Sequence, residues 1–125
     1  MQKKTLTILG TRPELIKMFP VIKELDRTFN NKLIWSGQHY DYAMVKKNFN
    51  DVQLRRPDIQ IKINRKKNVF FQIQEKIYNI VLQHKPDAII YHGDTYTTLA
   101  SSLVANFFFP HIKKIHVEGG YRSGD

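Results

Sequence analysis

Apolar residues change their period along this chain, from short unbroken runs to one-sided helical stripes and back. Residues 5–9 (TLTIL) form the first run and predict a strand. Leu15, Met18, Phe19, Ile22 and Leu25 then recur at helical spacing, in a helix that Pro20 is expected to kink. Residues 32–36 predict a second strand. Tyr42, Val45 and Phe49 share one face of a short helix with Asp41 as a suitable N-cap. Residues 59–63 alternate apolar and polar as a weak third strand. A longer helix runs from about Asn68 to His84 on the stripe Val69, Ile73, Ile77, Ile80 and Val81, and Lys85-Pro86-Asp87 ends it. Residues 88–91 (AIIY) are continuously apolar, as a parallel strand buried on both faces requires. Residues 95–108 predict a fourth helix with Leu99, Leu103 and Phe107 facing inward, and residues 114–117 a fifth strand.

Strands and helices thus alternate, which implies the α/β class: a doubly wound, Rossmann-like parallel sheet with helices on both faces. Right-handed crossovers favour the strand order 3-2-1-4-5. Ligands of such sheets bind beyond the carboxyl ends of the strands, where the order reverses. Strand one should end at Gly10-Thr11-Arg12, strand four at His92-Gly93-Asp94-Thr95, and strand five at Glu118-Gly119-Gly120. The order makes these three loops neighbours.

The turn Gly10-Thr11-Arg12-Pro13-Glu14 carries the clearest chemistry. Glycine permits a sharp turn or a close approach. Thr11 and Glu14 have capping-box spacing, and Pro13 suits a first helical turn. A helix N-terminus offers unpaired N–H groups, and the Arg12 guanidinium is a fork suited to phosphate. The turn therefore reads as a phosphate cradle, with Arg12 as a solvated residue beside a well-capped helix the alternative. Asp94 and Glu118 would face the same crevice, where two carboxylates with separated pKa values suit general acid and base roles. Each has a plainer reading, Asp94 as a helix N-cap and Glu118 as a partner of Arg122. His92 and His116 could equally be ordinary buried histidines. No ligand spacing points to a metal, and no serine has a nucleophile-elbow context.

A length of 125 residues fits one domain, and 42% apolar with 25% charged residues is ordinary for a globular protein. There is no cysteine, which fits a reducing compartment. With no apolar run of membrane-span length and no leader pattern, a cytoplasmic location away from membranes is expected. The net charge of +9 is concentrated in Lys46-Lys47, Arg55-Arg56 and Arg65-Lys66-Lys67. These clusters fall in predicted connections without interleaved aromatics, which argues against nucleic acid and for a solvated surface or an anionic small substrate.

Taken together, four segments are recognisable: residues 10–20 (GTRPELIKMFP), residues 36–41 (SGQHYD) with Met44, residues 85–87 leading to His92-Gly93-Asp94-Thr95, and residues 116–125 (HVEGGYRSGD). In order and spacing they resemble the non-hydrolysing UDP-N-acetylglucosamine 2-epimerases. The resemblance implies the N-terminal domain of a two-domain glycosyltransferase-B-like fold. It implies interconversion of UDP-GlcNAc and UDP-ManNAc by anti elimination of UDP and its re-addition to a glycal, without nicotinamide, metal or other cofactor. Arg12 and Lys17 would contact the diphosphate of the UDP-sugar, and Asp94 and Glu118 would be acid/base residues. Gln38 and His39 match a segment that binds a second UDP-GlcNAc as activator in some bacterial members. Gly119 and Tyr121 stand where alanine and leucine are usual in the family, a change expected in the sugar pocket. The family's C-terminal nucleotide-binding domain, with a histidine and most uridine contacts, is expected to lie outside this chain, as a missing domain or a separate chain. The 125 residues alone should therefore be inactive; a homodimer is possible. A non-catalytic nucleotide-sugar or anion-binding module is the alternative.

Overall fold

The three central strands of the sheet send alternate side chains to two separate apolar layers, and the helices are sorted by the layer they cover. The computed structural model describes residues 2–37, 42–93 and 95–117. The chain runs β1 (Lys4–Leu9), α1 (Arg12–Thr28), β2 (Asn30–Trp35), α2 (Tyr42–Asp51), β3 (Ile59–Gln60), α3 (Val69–His84), β4 (Ala88–His92), α4 (Tyr96–Phe108) and β5 (Lys113–Val117). The strands are parallel in the order β3-β2-β1-β4-β5, the doubly wound arrangement expected.

One layer joins Leu6, Ile8, Ile34, Ile89 and Tyr91 to α3 and α4 through Ile73, Ile77, Ala100 and Val104. The other joins Leu9, Leu33, Trp35 and Ile90 to α1 and α2 through Leu15, Met18, Ile22 and Phe49. β4 is buried along its whole length, as its unbroken apolar run requires. Inside the sheet one side chain satisfies two others: Asn31 Oδ1 accepts from the Thr5 and Thr7 hydroxyls at 2.8 and 2.9 Å. Arg55, from a basic cluster, is an internal tie. It grips Asp26 through Nε and Nη2 at 2.9 and 3.0 Å and Asp58 through Nη1 at 2.9 Å.

The structure departs from the sequence reading at two elements, while α1 runs as one helix through Pro20 to Thr28, with Pro20 on its exposed side. β3 stops at Gln60; Ile61 and Ile63 are buried beyond it, the Ile61 N–H still donating to the Trp35 carbonyl at 2.8 Å, and the Gln72 side chain then bonds both the N–H and the C=O of Asn64. The second departure is at α4. Leu99, Leu103 and Phe107 point outward, 49, 47 and 79% exposed, while Ala100, Ser101, Val104 and Ala105 face the sheet. α4 starts against the end of β1, with Thr97 at the Gly10 backbone, and its buried face is built of small and β-branched side chains.

Candidate functional site

Gly10 ends β1 in a space that no other residue fits. A Cβ there would lie 2.3 Å from Thr97 Oγ1 and 3.0 Å from Ser36 Oγ, two hydroxyls that hydrogen-bond each other. Close approach, rather than an unusual backbone angle, is what requires this glycine. At Gly93 the reverse holds, since its φ of +73° is in the left-handed region where side chains are disfavoured.

The capping box expected at the start of α1 is present, and it alters the phosphate-cradle reading. Thr11 Oγ1 accepts from the Glu14 N–H, while Glu14 Oε1 accepts from the N–H groups of Gly10 and Thr11, both at 2.9 Å. Of the N–H groups at this turn, those of Gly10 and Thr11 are therefore already bonded to a carboxylate and that of Glu14 to the Thr11 hydroxyl. Any anion here would depend on side-chain cations and on what remains of the helix dipole.

Arg12 and Lys17 serve different flanks of α1. Arg12 turns toward α2, donating to Asn48 Oδ1 at 2.6 Å and approaching Asp51 at 3.5 Å, with half of its side chain exposed. Lys47, first, and Arg12 hold the Asp51 carboxyl below its ordinary pKa. Arg12 overlooks a cleft of ≈ 260 Å³ between the ends of β1 and β2, walled by Gly10, Thr11, Trp35, Gly37, Met44 and Asn48. Lys17 is exposed on α1 and acts electrostatically on His92 at the end of β4.

His92 is 5% exposed, and neither ring nitrogen has a hydrogen-bond partner among the described residues. Burial lowers its pKa, helped by Lys17 and His116 and opposed by Glu14. Next to it the ends of β4 and β5 are bonded together. Gly93 N–H donates to the Val117 carbonyl at 3.1 Å, and His116 Nε2 donates to the Gly93 carbonyl. Asp94 and Glu118 follow directly in sequence but lie outside the described residues, as do Gln38, His39, Asp41, Gly119 and Tyr121. The helix-cap reading of Asp94 gives way to its neighbour: Thr95 is the N-cap of α4, its hydroxyl accepting from the Thr98 N–H.

The residue that sequence reasoning undervalued is Glu14. It was legible as a cap for α1, but its second oxygen accepts from Thr95 Oγ1 at 3.1 Å and lies 3.3 Å from Thr98 Oγ1, residues more than eighty positions away. Nothing local in the sequence announces that pairing. Among the described residues no cluster of histidine and carboxylate side chains is arranged to hold a metal ion.

Comparison with known proteins bears on this geometry over the whole chain. A family model described as UDP-N-acetylglucosamine 2-epimerase matches residues 23–125. A UDP-N-acetylglucosamine 2-epimerase homolog of Methanococcus maripaludis is 39% identical over 98% of this chain and 34% of its own length. The UDP-N-acetylglucosamine 2-epimerase of Escherichia coli K12 is 40% identical over 98% of this chain and 33% of its own. Among solved structures, Methanocaldococcus jannaschii UDP-GlcNAc 2-epimerase in complex with UDP-GlcNAc and UDP superposes with a TM-score of 0.80 and 37% identity, covering 98% of this chain and 34% of that one. The chain thus spans about a third of the length of the relatives it matches. With the doubly wound sheet, the capped Gly10–Glu14 turn and a family match across most of its residues, this chain belongs to the UDP-N-acetylglucosamine 2-epimerase family.

Proposed function

We propose that this chain is the N-terminal domain of a UDP-N-acetylglucosamine 2-epimerase, acting on UDP-GlcNAc and UDP-ManNAc only when a C-terminal nucleotide-binding domain completes the cleft. The observation that carries this reading is coverage. Nearly the whole chain superposes on an enzyme holding UDP-GlcNAc and UDP, yet accounts for only 34% of it. Arg12 and Lys17 would stabilise the departing diphosphate, charge balanced by charge. Asp94 and Glu118 would move the proton at sugar carbon 2: one carboxylate takes it as the bond from carbon 1 to UDP breaks. Re-addition of UDP to the glycal, with a proton delivered to the opposite face, gives the epimer. What supports this assignment is that their immediate predecessors, Gly93 and Val117, are hydrogen-bonded neighbours, so one sugar could lie within reach of both loops. Gln38 and His39 would belong to an activator site for a second UDP-GlcNAc. A UDP-sugar substrate and a cysteine-free chain suit a cytoplasmic setting. Among the described residues no helix is long and apolar enough to cross a membrane.

The test is to titrate the purified chain with UDP-GlcNAc while following amide and sugar signals by NMR. Shifts at Gly10–Arg12 without formation of UDP-ManNAc are expected. Turnover by the 125 residues alone would overturn the two-domain requirement, and an unchanged spectrum at millimolar ligand would overturn the nucleotide-sugar site.

Exposed apolar side chains support a homodimer. Phe71, Phe107 and Phe108 are 66, 79 and 54% exposed; Phe107 and Phe108 meet edge to face, and Phe71 and Phe108 line one groove, with exposed Leu103 on the same helix as Phe107. At about 200 Å² for a whole phenylalanine side chain, these rings alone offer about 400 Å². Two copies face to face, with Leu99 and Leu103 added, approach the ~1,200 Å² at which specific interfaces begin. A second copy of this chain is therefore the proposed occupant. Light scattering should give a dimer that Leu103→Glu converts to monomer; a monomeric wild type at about 100 µM, or a dimer indifferent to Leu103→Glu, would refute it.

A further inference from the structure

Glu14 is 3% exposed, and donors surround it from two loops. Oε1 accepts from the backbone N–H of Gly10 and of Thr11 at 2.9 Å and from Thr11 Oγ1 at 3.2 Å. Oε2 accepts from Thr95 Oγ1 at 3.1 Å, with Thr98 Oγ1 at 3.3 Å. The Thr98 hydroxyl proton is better placed on the His92 carbonyl, 2.6 Å away, so Thr95 is the main donor to Oε2. Both oxygens therefore act as acceptors, a task a carboxylate fills and a carboxamide, with one oxygen, cannot.

The two halves of this arrangement belong to different helices. Thr11 is the N-cap of α1 and Thr95 the N-cap of α4. One buried charge thus meets the positive ends of both helix dipoles. A Cβ built on Gly93 would stand 3.8 Å from Oε2, ordinary contact distance, so the carboxylate lies directly against the β4–α4 turn. The loop of Arg12 and the loop that contains Asp94 are tied to each other through this side chain.

We infer that Glu14 is a positioning residue, which locks the β1–α1 loop to the β4–α4 loop and so sets the separation of Arg12 from Thr95. The inference rests on the reading of those loops as walls of a UDP-sugar site. It goes beyond that reading in giving Glu14 a role distinct from helix capping. A cap stabilises its own helix, whereas a lock makes the geometry of one loop depend on the side chains of the other.

The experiment uses the full chain and four forms: wild type, Glu14→Gln, Thr95→Val and Thr95→Ser. Thr95→Val is near-isosteric and removes the hydroxyl, together with its capping bond to the Thr98 N–H, and serves where Glu14→Gln folds poorly. Two readouts are taken on folded protein. The first is amide hydrogen exchange at Gly10 and Thr11. Thr95→Val should accelerate it at least about fivefold although these amides keep their own acceptor, and Thr95→Ser should restore it. The second is UDP-GlcNAc affinity, expected to weaken about tenfold in Glu14→Gln and Thr95→Val and to recover in Thr95→Ser, the scale of losing one charge-assisted hydrogen bond. If Thr95→Val leaves exchange at Gly10 and Thr11 unchanged, there is no lock, whatever the ligand does. If exchange responds and affinity does not, Glu14 is structural only and the positioning role is wrong. If wild type fails to bind UDP-GlcNAc while exchange still responds, the nucleotide-sugar assignment fails, the positioning role at that site falls with it, and the mechanical coupling alone stands.

Discussion

Substituting Gly10 by alanine should test the close packing at the end of β1. The new methyl carbon would be placed 2.3 Å from Thr97 Oγ1, and 3.0 Å from both Thr97 Cβ and Ser36 Oγ. Forcing a methyl into a packed interior costs about 1–3 kcal/mol. Separating the buried Ser36 and Thr97 hydroxyls, 2 and 6% exposed, leaves polar atoms unpaired at a further ~1–3 kcal/mol. A total of about 3 kcal/mol should lower the urea midpoint by about 1.5 M at an m-value near 2 kcal/mol/M. Thr97→Ala removes the hydroxyl that causes the worst clash but keeps the Cβ, so relief in the double variant is partial. The double variant should then be more stable than the summed single effects by at least about 1 kcal/mol. The assay is equilibrium urea unfolding followed by tryptophan fluorescence, with Trp35 as the single reporter. Strictly additive effects, or a Gly10→Ala midpoint within about 0.2 M of wild type, would refute the close-packing argument.

Three further outcomes are expected. Because burial lowers the His92 pKa, the folded state binds fewer protons than the unfolded state below the ordinary histidine value. Stability should therefore fall as pH drops from about 7.5 to about 5.5, and His92→Leu should flatten that fall; a wild-type slope that survives the substitution assigns it elsewhere. Arg55→Lys replaces a fork by a point charge and loses the two-point grip on Asp26. With the arginine side chain 35% exposed, the loss should be about 1 kcal/mol and should shrink in high salt, which thermal melts at two ionic strengths will show. Arg12→Ala gives up only a half-exposed contact with Asn48 and Asp51, so stability should change by less than about 0.5 kcal/mol. Calorimetry should nonetheless find UDP affinity reduced about tenfold; unchanged affinity removes Arg12 from the diphosphate site.

Much of this fold was legible in the chain because its signals are local. The unbroken run at residues 88–91, the stripe Ile73-Ile77-Ile80-Val81 and the Thr11–Glu14 box each report the environment of their own element, and each is found as read. Strand order followed as well, since right-handed crossovers leave few alternatives. α4 was misread because it is apolar on both faces, and periodicity cannot say which face meets the sheet. In the fold Thr97 sits against Gly10 at the start of the helix, and the buried face below it is Ala100, Ser101, Val104 and Ala105.

The sequence by itself determined the alternation of elements, the capped turn at Gly10–Glu14 and, through its motifs, the family. Only the tertiary structure decided how the charges are used. Arg12 is held toward α2, Arg55 is consumed by Asp26 and Asp58, and Glu14 reaches past its own helix to Thr95. Periodicity and capping are properties of a few consecutive residues, so they can be read along a chain. A carboxylate's partners are set by where strands and helix ends converge in space, and those distances exist only once the sheet has formed.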